Sequence, residues 1–147
     1  MMNTIKLFVL TISMVGLFAC DAIVDRDNNL SANLNGNDFT ATLTTGIKES
    51  GVIVITGVKG TESLVVGVAE DVTSGDYDLI SGKAYTTYIT ADQKFSITTS
   101  GKVSIIEHNT EAKTIEGTFN GVMQAETDSS STTTISNGKF YCTYKEI

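Results

Sequence analysis

Residues 30–43 read LSANLNGNDFTATL, and this stretch decides the class of fold. Apolar residues occupy every second position on both sides of an Asn-Gly turn: Leu30, Ala32 and Leu34 before it, and Phe39, Ala41 and Leu43 after it. An alternation with a period of two is typical of a strand that buries one face. An Asn-Gly pair between two such runs indicates a hairpin. The stretch therefore predicts two antiparallel strands joined by the turn Asn35-Gly36-Asn37-Asp38.

The same period continues towards the C-terminus. Val52–Thr56 and Leu64–Ala69 are continuous apolar runs, as expected of strands that are covered on both faces. A second hairpin, from Gly57 to Ser63, joins them. The stretch His108–Lys113 has the composition of a turn, and Thr127–Thr133 that of a solvated loop.

The last strand carries Phe140, Cys142 and Tyr144 on one face. In total, the pattern predicts eight to ten short strands and no helix after the N-terminal leader. Short strands with regularly spaced turn signals indicate an all-β fold, either an antiparallel β-sandwich or a small antiparallel β-barrel. We expect the sandwich and keep the barrel as the alternative.

Composition bounds the classes of function. The chain has 147 residues, of which 41% are hydrophobic, which is enough for one domain with a core of its own. Its net charge is −7, and the leader holds one base, Lys6, and no acid, so removal of the leader changes the charge from −7 to −8. A negative surface repels phosphate backbones, so nucleic acid is not an expected partner. No cofactor is predicted.

The N-terminus has the pattern of a helical signal peptide. A base at Lys6 precedes an apolar run, Leu7–Ala19, of 13 residues. As a helix this run is about 20 Å long, whereas a bilayer core is about 30 Å thick, so it is a poor permanent span. We expect residues 1–19 to direct export and to be removed.

Leu17-Phe18-Ala19-Cys20 matches the lipobox of bacterial lipoproteins. The Cys20 thiolate is the nucleophile that accepts the diacylglyceryl group, and Leu17, Phe18 and Ala19 are the residues that the signal peptidase recognises. The alternative is an ordinary secretory leader with an incidental cysteine. We expect Cys20 to be lipidated and the chain to be anchored to the membrane by its acyl chains.

Residues 20–29 are polar and acidic enough to be a short tether, which leaves 30–147 as a single all-β domain. Asp21 directly after the cysteine resembles an inner-membrane retention signal of enterobacteria. Acidic residues soon after the cysteine resemble a surface-export signal of the Bacteroidota. The expected location is the cell envelope, at the outer membrane, with the periplasmic or surface face left open.

Several ordered motifs resemble one family. They are Ala32–Ala41 (ANLNGNDFTA), Gly75–Leu79 (GDYDL), Gly101–Ile105 (GKVSI), Lys113–Phe119 (KTIEGTF) and Ile135–Phe140 (ISNGKF). In this order they are similar to a family of uncharacterised lipoproteins from the Bacteroidota, a domain of unknown function. His108 stands where related sequences often have Asp, and Phe39 stands where Trp is common. The resemblance implies a β fold, a lipid anchor and export, and no catalytic residues.

Candidate sites are few. Glu70, Asp71, Asp76 and Asp78 are weak candidates for a calcium site, since carboxylates near a glycine turn suit Ca²⁺, but their spacing is not that of an EF-hand. His108, the only histidine, is expected to be an exposed turn residue. Cys142 alternates in phase with Phe140 and Tyr144, which predicts a buried thiol; an intermolecular disulfide is the alternative.

These features predict a non-catalytic binding or structural module of the cell envelope, with a protein or glycan partner that the sequence does not identify. Two alternatives have other requirements. A lipocalin-like carrier needs an apolar cavity of several hundred Å³. A small hydrolase needs two carboxylates about 5–10 Å apart in one cleft.

Overall fold

A computed structural model describes residues 26–147, which form eleven strands and no helix. The strands are β1 (Asn29–Leu34), β2 (Asn37–Thr40), β3 (Leu43–Glu49), β4 (Val52–Lys59), β5 (Glu62–Ala69), β6 (Gly75–Asp78), β7 (Ala84–Ile89), β8 (Lys94–Asn109), β9 (Thr114–Ala125), β10 (Thr132–Thr143) and β11 (Lys145–Glu146). Residues 26–147 contain no helix that is long and apolar enough to cross a membrane. The predicted all-β class is confirmed.

All strands belong to one curled sheet, in the order β11-β3-β4-β5-β7-β8-β9-β10-β1-β2, with β6 paired to β8. Every pair is antiparallel except β11 and β3, which are parallel. The prediction of a purely antiparallel sheet is therefore wrong in this detail. The reason is that the chain continues past β10 and its last residues lie beside β3 in the same direction.

The predicted hairpins are present. Asn35 and Gly36 both have positive φ, 51° and 89°, which is the backbone that a two-residue hairpin turn requires and that Asn and Gly tolerate. β4 and β5 extend further than predicted, so that their connection shrinks to Gly60-Thr61, with Lys59 and Glu62 as the last cross-strand pair.

The predicted strand through Phe39, Ala41 and Leu43 is interrupted. The Ala41 N–H donates to Leu30 O at 3.0 Å, whereas the Thr42 N–H donates to Val58 O at 2.8 Å. The chain thus leaves β1 and joins β4 within two residues, and β2 and β3 are separate strands. This crossing brings the two sides of the curled sheet together.

The interior is filled by side chains from both sides of the curl. The largest fully buried ones are Phe119, Phe140, Leu30, Ile53, Ile55, Leu64, Ile115, Met123, Ile135, Val66, Val68 and Val103. Two of the rings lie against glycines of the neighbouring strand. A Cβ on Gly117 would lie 2.7 Å from the Phe140 ring, and a Cβ on Gly138 would lie 2.7 Å from the Phe119 ring. The glycines therefore make room for the two largest core side chains.

On one face of β4 and β5, the burial of the side chains differs from the prediction. Their inward residues, among them Ile53 and Val66, are fully buried. Their outward residues, among them Val54 and Val65, are only half-buried. Within residues 26–147 no second layer covers this outer face, so the prediction that these strands are covered on both faces is wrong for the single chain.

Candidate binding cleft

The two ends of the domain carry different groups of side chains. At the entry end, where the described chain begins, Arg26 makes two hydrogen bonds of 2.9 Å to Glu116 and lies 4.1 Å from the centre of the Tyr141 ring. Asn28 connects β3 and β10, since its amide donates to Thr44 O and accepts from the Thr143 N–H. These contacts hold Arg26 and Asn28 at this end of the domain.

The turn end lies opposite. β1 pairs with β10 from Asn29↔Tyr141, beside the entry, to Leu34↔Ile135, five residues further along the strand. The β1–β2 turn and the β4–β5 turn meet at this end and enclose a cleft of about 180 Å³. Its lining residues are Leu34, Asn35, Asn37, Asp38, Phe39, Lys59, Glu62 and Tyr88.

Tyr88 and Glu62 form the acidic side of the cleft. The Tyr88 O–H donates a hydrogen bond to one Glu62 carboxylate oxygen. Burial, together with this carboxylate, raises the pKa of Tyr88 well above its ordinary value, so the phenol stays neutral. The Tyr88 ring also stacks on Phe95, with 5.8 Å between centroids. The pair therefore presents a fixed acceptor, because the phenol engages only one carboxylate oxygen.

Lys59 forms the basic side. Its ammonium donates to the backbone O of Asp38 at 3.0 Å and lies 5.9 Å from the centre of the Phe39 ring. Among residues 26–147 no carboxylate lies within ion-pair distance of this ammonium. The cleft thus combines a positive and a negative group that do not neutralise each other by contact.

Two amides complete the lining. Asn35 accepts a hydrogen bond of 2.8 Å from the Thr134 N–H with its side-chain oxygen, which leaves its NH₂ group for other acceptors. Asn37 adds a second amide with both a donor and an acceptor. Leu34 and Phe39 supply apolar surface beneath them. The lining thus combines hydrogen-bond donors and acceptors with one positive and one negative group in a small volume. Such a lining suits a neutral or zwitterionic ligand the size of one sugar ring, and not a drug-sized molecule.

The four acidic calcium candidates do not converge on one another. Glu70 is paired with Lys48 at 2.8 Å, Asp71 with Lys83 at 2.9 Å and Asp76 with Lys102 at 2.7 Å. Asp78 accepts a hydrogen bond of 2.7 Å from the Ile80 N–H. Across the described part of the chain, no group of three or more acidic, His or Cys side chains is arranged to hold a metal ion.

His108 is not the exposed turn residue that was predicted. It belongs to β8 and is half-buried, because β8 extends to Asn109 and brings the ring under the C-terminal segment. Its Nδ1 lies 2.8 Å from Val72 O and its Nε2 lies 3.0 Å from the Tyr144 hydroxyl. Since a carbonyl oxygen only accepts, Nδ1 donates to Val72 O, and Nε2 is hydrogen-bonded to the Tyr144 hydroxyl. The arrangement ties three segments together and is a structural role.

Cys142 is fully buried, which confirms the predicted buried thiol. Burial raises its pKa to about 12, so the unreactive neutral thiol prevails near neutral pH. Lys6, Leu17, Phe18, Ala19 and Cys20, on which the predicted signal peptide and anchor depend, lie outside the described residues.

The cleft was not predicted from the sequence. Asp38 was recognised only as a turn residue, and Lys59 and Glu62 only as part of a hairpin connection. The one available signal was that polar residues of both charges flank two hairpin turns. Nothing in the local sequence says that the two turns, more than twenty residues apart, meet at one end of the sheet.

Comparison with known proteins gives one match. The sequence model of a family described as a domain of unknown function (DUF6252) matches residues 27–143. The comparisons with curated proteins and with solved structures found no match. The matched region includes ten of the strands and the whole cleft. The chain therefore belongs to the DUF6252 family.

Proposed function

We propose that the protein is a lipid-anchored, non-catalytic binding module of the cell envelope that holds a small polar ligand in the cleft at its turn end. The observation that carries the proposal is the cleft itself, in which Lys59, Glu62 and two amides surround an apolar floor. Such a mixture of groups binds hydroxyl-rich or zwitterionic molecules through several hydrogen bonds. The ligand is thus a sugar-sized molecule and the membrane is bound through the acyl chains of Cys20.

The position of the cleft supports this proposal. Cys20 precedes Arg26 by six residues, a span of at most about 20 Å when fully extended. An anchor at Cys20 would therefore hold the entry end close to the membrane. The cleft lies at the opposite end of β1 and would face away from the bilayer, where a ligand can reach it. We place the protein at the outer membrane.

The packing of the interior favours this function over the two alternatives. Phe119, Phe140 and Met123 occupy the space in which a lipocalin-like carrier would hold its ligand. A hydrolase would need a carboxylate free to activate water. In the cleft, Glu62 accepts a hydrogen bond from Tyr88, and Asp38 accepts one from Asn33 at 3.2 Å. Each carboxylate thus has one oxygen held by a neighbouring side chain, and the second oxygen of Glu62 is left as an acceptor for the ligand.

For the finer architecture we propose the small barrel and not the sandwich. The parallel pairing of β11 with β3 supports it, because β11 directly continues β10. The hydrogen-bonded path runs from β3 through β4, β5, β7, β8 and β9 to β10. The pairing of β11 with β3 links the two ends of this path. Closure of this kind leaves few free edges for association with other strands.

Titration calorimetry of the full-length protein in detergent tests the cleft. The probes are glucose, galactose, N-acetylglucosamine and glycine betaine at millimolar concentration. We expect heat from at least one of them, and a loss of affinity of about five-fold in Asn37→Ala and in Lys59→Met, since each removes a hydrogen bond worth about 1 kcal/mol. Asn120→Ala, on the outer face of β9, is the matched control. No heat from any probe, or equal affinity in all variants, would contradict the proposal.

Metabolic labelling with palmitate tests the anchor. Cys20→Ala should abolish the label, because the thiol is the acceptor of the diacylglyceryl group. Cys142→Ala is the matched control and should be labelled normally, since that thiol is buried. A Cys20→Ala protein that still carries the label would show that the anchor is elsewhere.

A further inference from the structure

A second pocket adjoins the cleft, on the outer face of β1, β2 and β10. It has a volume of about 250 Å³, and we call it the outer pocket. Its lining residues are Ser31, Ala32, Asn33, Asp38, Phe39, Thr40, Asn137 and Lys139. Two of them, Asp38 and Phe39, also line the cleft. The two pockets are therefore neighbours, and β2 is the wall between them.

Asp38 takes part in both pockets. Its backbone O accepts the hydrogen bond from Lys59 of the cleft at 3.0 Å, whereas its carboxylate accepts one from Asn33 of the outer pocket at 3.2 Å. The next side chain, Phe39, is buried in the core, and successive side chains of a strand point to opposite faces. A ligand that leaves the cleft across β2 therefore meets the outward side chains of Asp38 and Thr40.

β10 is distorted where it lines the outer pocket. Its pairing with β9 shifts between Ile135 and Gly138, and its pairing with β1 shifts at the same point of the strand. Asn137 lies in this bulge, is exposed and has a positive φ of 52°. The other non-glycine residues with positive φ among residues 26–147 lie in hairpin turns: Asn35, Ser50 and Lys113. Bulges re-aim side chains and are over-represented beside functional sites, so the distortion marks this pocket.

The outer pocket repeats the chemistry of the cleft, since each contains an ammonium, a carboxylate and two side-chain amides. In the cleft these groups belong to Lys59, Glu62, Asn35 and Asn37, and in the outer pocket to Lys139, Asp38, Asn33 and Asn137. Within residues 26–147, no carboxylate lies within ion-pair distance of the Lys139 ammonium, as is also the case for Lys59. Two adjacent pockets with the same groups suit a ligand that is a chain of similar units.

We propose that the cleft and the outer pocket bind consecutive units of one linear oligosaccharide, which crosses β2. The inference rests on the proposed function of the cleft and names the class of its ligand. Asn37 and Thr40, at the two ends of β2, are about 10 Å apart along the strand, which is comparable to the length of a disaccharide. Sugar hydroxyls both donate and accept hydrogen bonds, so they pair with ammonium, carboxylate and amide groups alike.

An extended peptide is a less suitable ligand. A peptide that adds to the edge of a sheet binds through a row of free backbone groups. β2 is only four residues long, and the backbone O of Asp38 already accepts a hydrogen bond from Lys59. A nucleic acid is repelled by the net charge of −7. The chemistry of the two pockets therefore favours a chain of sugars.

Titration calorimetry of the full-length protein in detergent tests the proposal by comparing monosaccharides with their dimers. The pairs are glucose with cellobiose and with maltose, galactose with galactobiose, and N-acetylglucosamine with chitobiose. We expect at least one disaccharide to bind roughly ten-fold more tightly than its monosaccharide, because its second unit adds hydrogen bonds in the outer pocket.

Variants of the outer pocket locate the second unit. Asn137→Gly and Lys139→Met should each reduce the advantage of the disaccharide about five-fold, whereas Asn37→Ala in the cleft should weaken both sugars alike. Glycine retains the positive φ of position 137. The matched controls are Gln124→Ala, on the outer side of β9, and Lys145→Met, in β11; both should bind the disaccharide as the wild type does. Circular dichroism verifies that each variant is folded.

Several results would overturn the proposal. If each disaccharide binds no better than its monosaccharide, or if glycine betaine alone gives heat, the cleft holds a single small molecule and no chain crosses β2. An advantage of the disaccharide that is unchanged in Asn137→Gly and Lys139→Met would place the second unit elsewhere. Heat from a capped tetraalanine peptide that is lost in Lys139→Met would assign the outer pocket to a peptide. Only the absence of heat from every sugar and from glycine betaine contradicts the proposed function itself, so the two failures are distinguishable.

Discussion

The first half of the sheet, β3 to β7, and the second half, β8 to β10, enclose one core in different ways. The first half is regular: the pairings of β3 with β4, β4 with β5 and β5 with β7 contain no register shift. The second half is irregular, with three register shifts between β8 and β9 and one between β9 and β10. Bulges bend a strand and increase its twist, so the curvature is concentrated in the second half.

The outer surfaces differ in the same way. The first half displays mostly valine, isoleucine and threonine, with Glu49 at the end of β3, whereas the second half displays polar and charged side chains such as Thr118, Asn120 and Lys139 beside the exposed Ile97 and Ile106. Glycines also have different neighbours. In the second half they approach backbone atoms, while Gly67 in the first half approaches only the exposed Tyr85 ring. The comparison teaches that the second half carries the curvature of the sheet, whereas the first half stays regular and keeps a largely apolar outer side.

Substitution of one glycine in each half tests this difference and should give the largest effect. A Cβ on Gly101 would lie 2.2 Å from Asn120 O, and φ is +126°. Backbone cannot move aside, so we expect Gly101→Ala to lower the free energy of unfolding by about 3 kcal/mol or more. A Cβ on Gly67 would meet only the Tyr85 ring, which can rotate outward, so Gly67→Ala should cost about 1 kcal/mol or less.

Urea denaturation of both variants measures these free energies. Gly60→Ala is a useful control, because φ is positive there but no atom lies within 4 Å of the added Cβ. Equal losses in Gly101→Ala and Gly67→Ala would show that the two halves do not differ in this respect.

The two halves of the sheet meet where β3 contacts β10, and we call this contact the seam. A substitution at the seam should give the next largest effect. A Cβ on Gly46, in β3, would lie 2.3 Å from the Cys142 sulfur in β10. We expect Gly46→Ala to cost about 2 kcal/mol through overpacking. Cys142→Ala removes the sulfur, so the double variant should cost at least about 0.5 kcal/mol less than the sum of the two single changes. A double-mutant cycle by urea denaturation measures this coupling, and strict additivity would mean that the two sites do not share the space.

A smaller effect is expected where His108 holds the C-terminal segment. Tyr144→Phe removes the hydroxyl that is hydrogen-bonded to Nε2 of His108 at 3.0 Å, and one hydrogen bond contributes about 1 kcal/mol to the free energy of unfolding. Thermal unfolding of the variant should show a correspondingly lower midpoint. Tyr141→Phe is the control, because the Tyr141 ring contacts Arg26 through its face. A loss of the same size in the control would show that the bond to His108 makes no special contribution.

The smallest effect concerns exposed ion pairs at the seam. Lys48 and Lys113 lower the pKa of Glu146 by hydrogen bonding and by charge. A carboxyl with a lowered folded-state pKa adds stability above its unfolded pKa, about 4.5, and loses it as the pH falls through the folded-state pKa. We expect Glu146→Gln to flatten the fall in unfolding midpoint below about pH 4.5, and to do so less in 1 M salt. Identical pH profiles for wild type and variant would contradict this.

Strands and turns could be predicted because they depend on near neighbours. Alternating residues from Leu30 to Leu34 reveal the buried face, and Asn35-Gly36 accepts the positive φ of the turn. His108 was misplaced because the alternation of β8 is broken by register shifts, which hide the strand in the sequence. The cleft could not be predicted at all, since Asp38 and Lys59 meet only when the sheet curls.

The sequence by itself determined the all-β class, the hairpin turns and the buried thiol of Cys142, because alternation and turn chemistry act over a few residues. Only the tertiary structure decided that β11 pairs with β3, that two distant turns enclose a cleft and that no other part of residues 26–147 covers the outer face of β4 and β5. These features depend on the register and curvature of the whole sheet. Register and curvature arise from bulges and from contacts between residues far apart in the chain, for which no short stretch of sequence carries a signal.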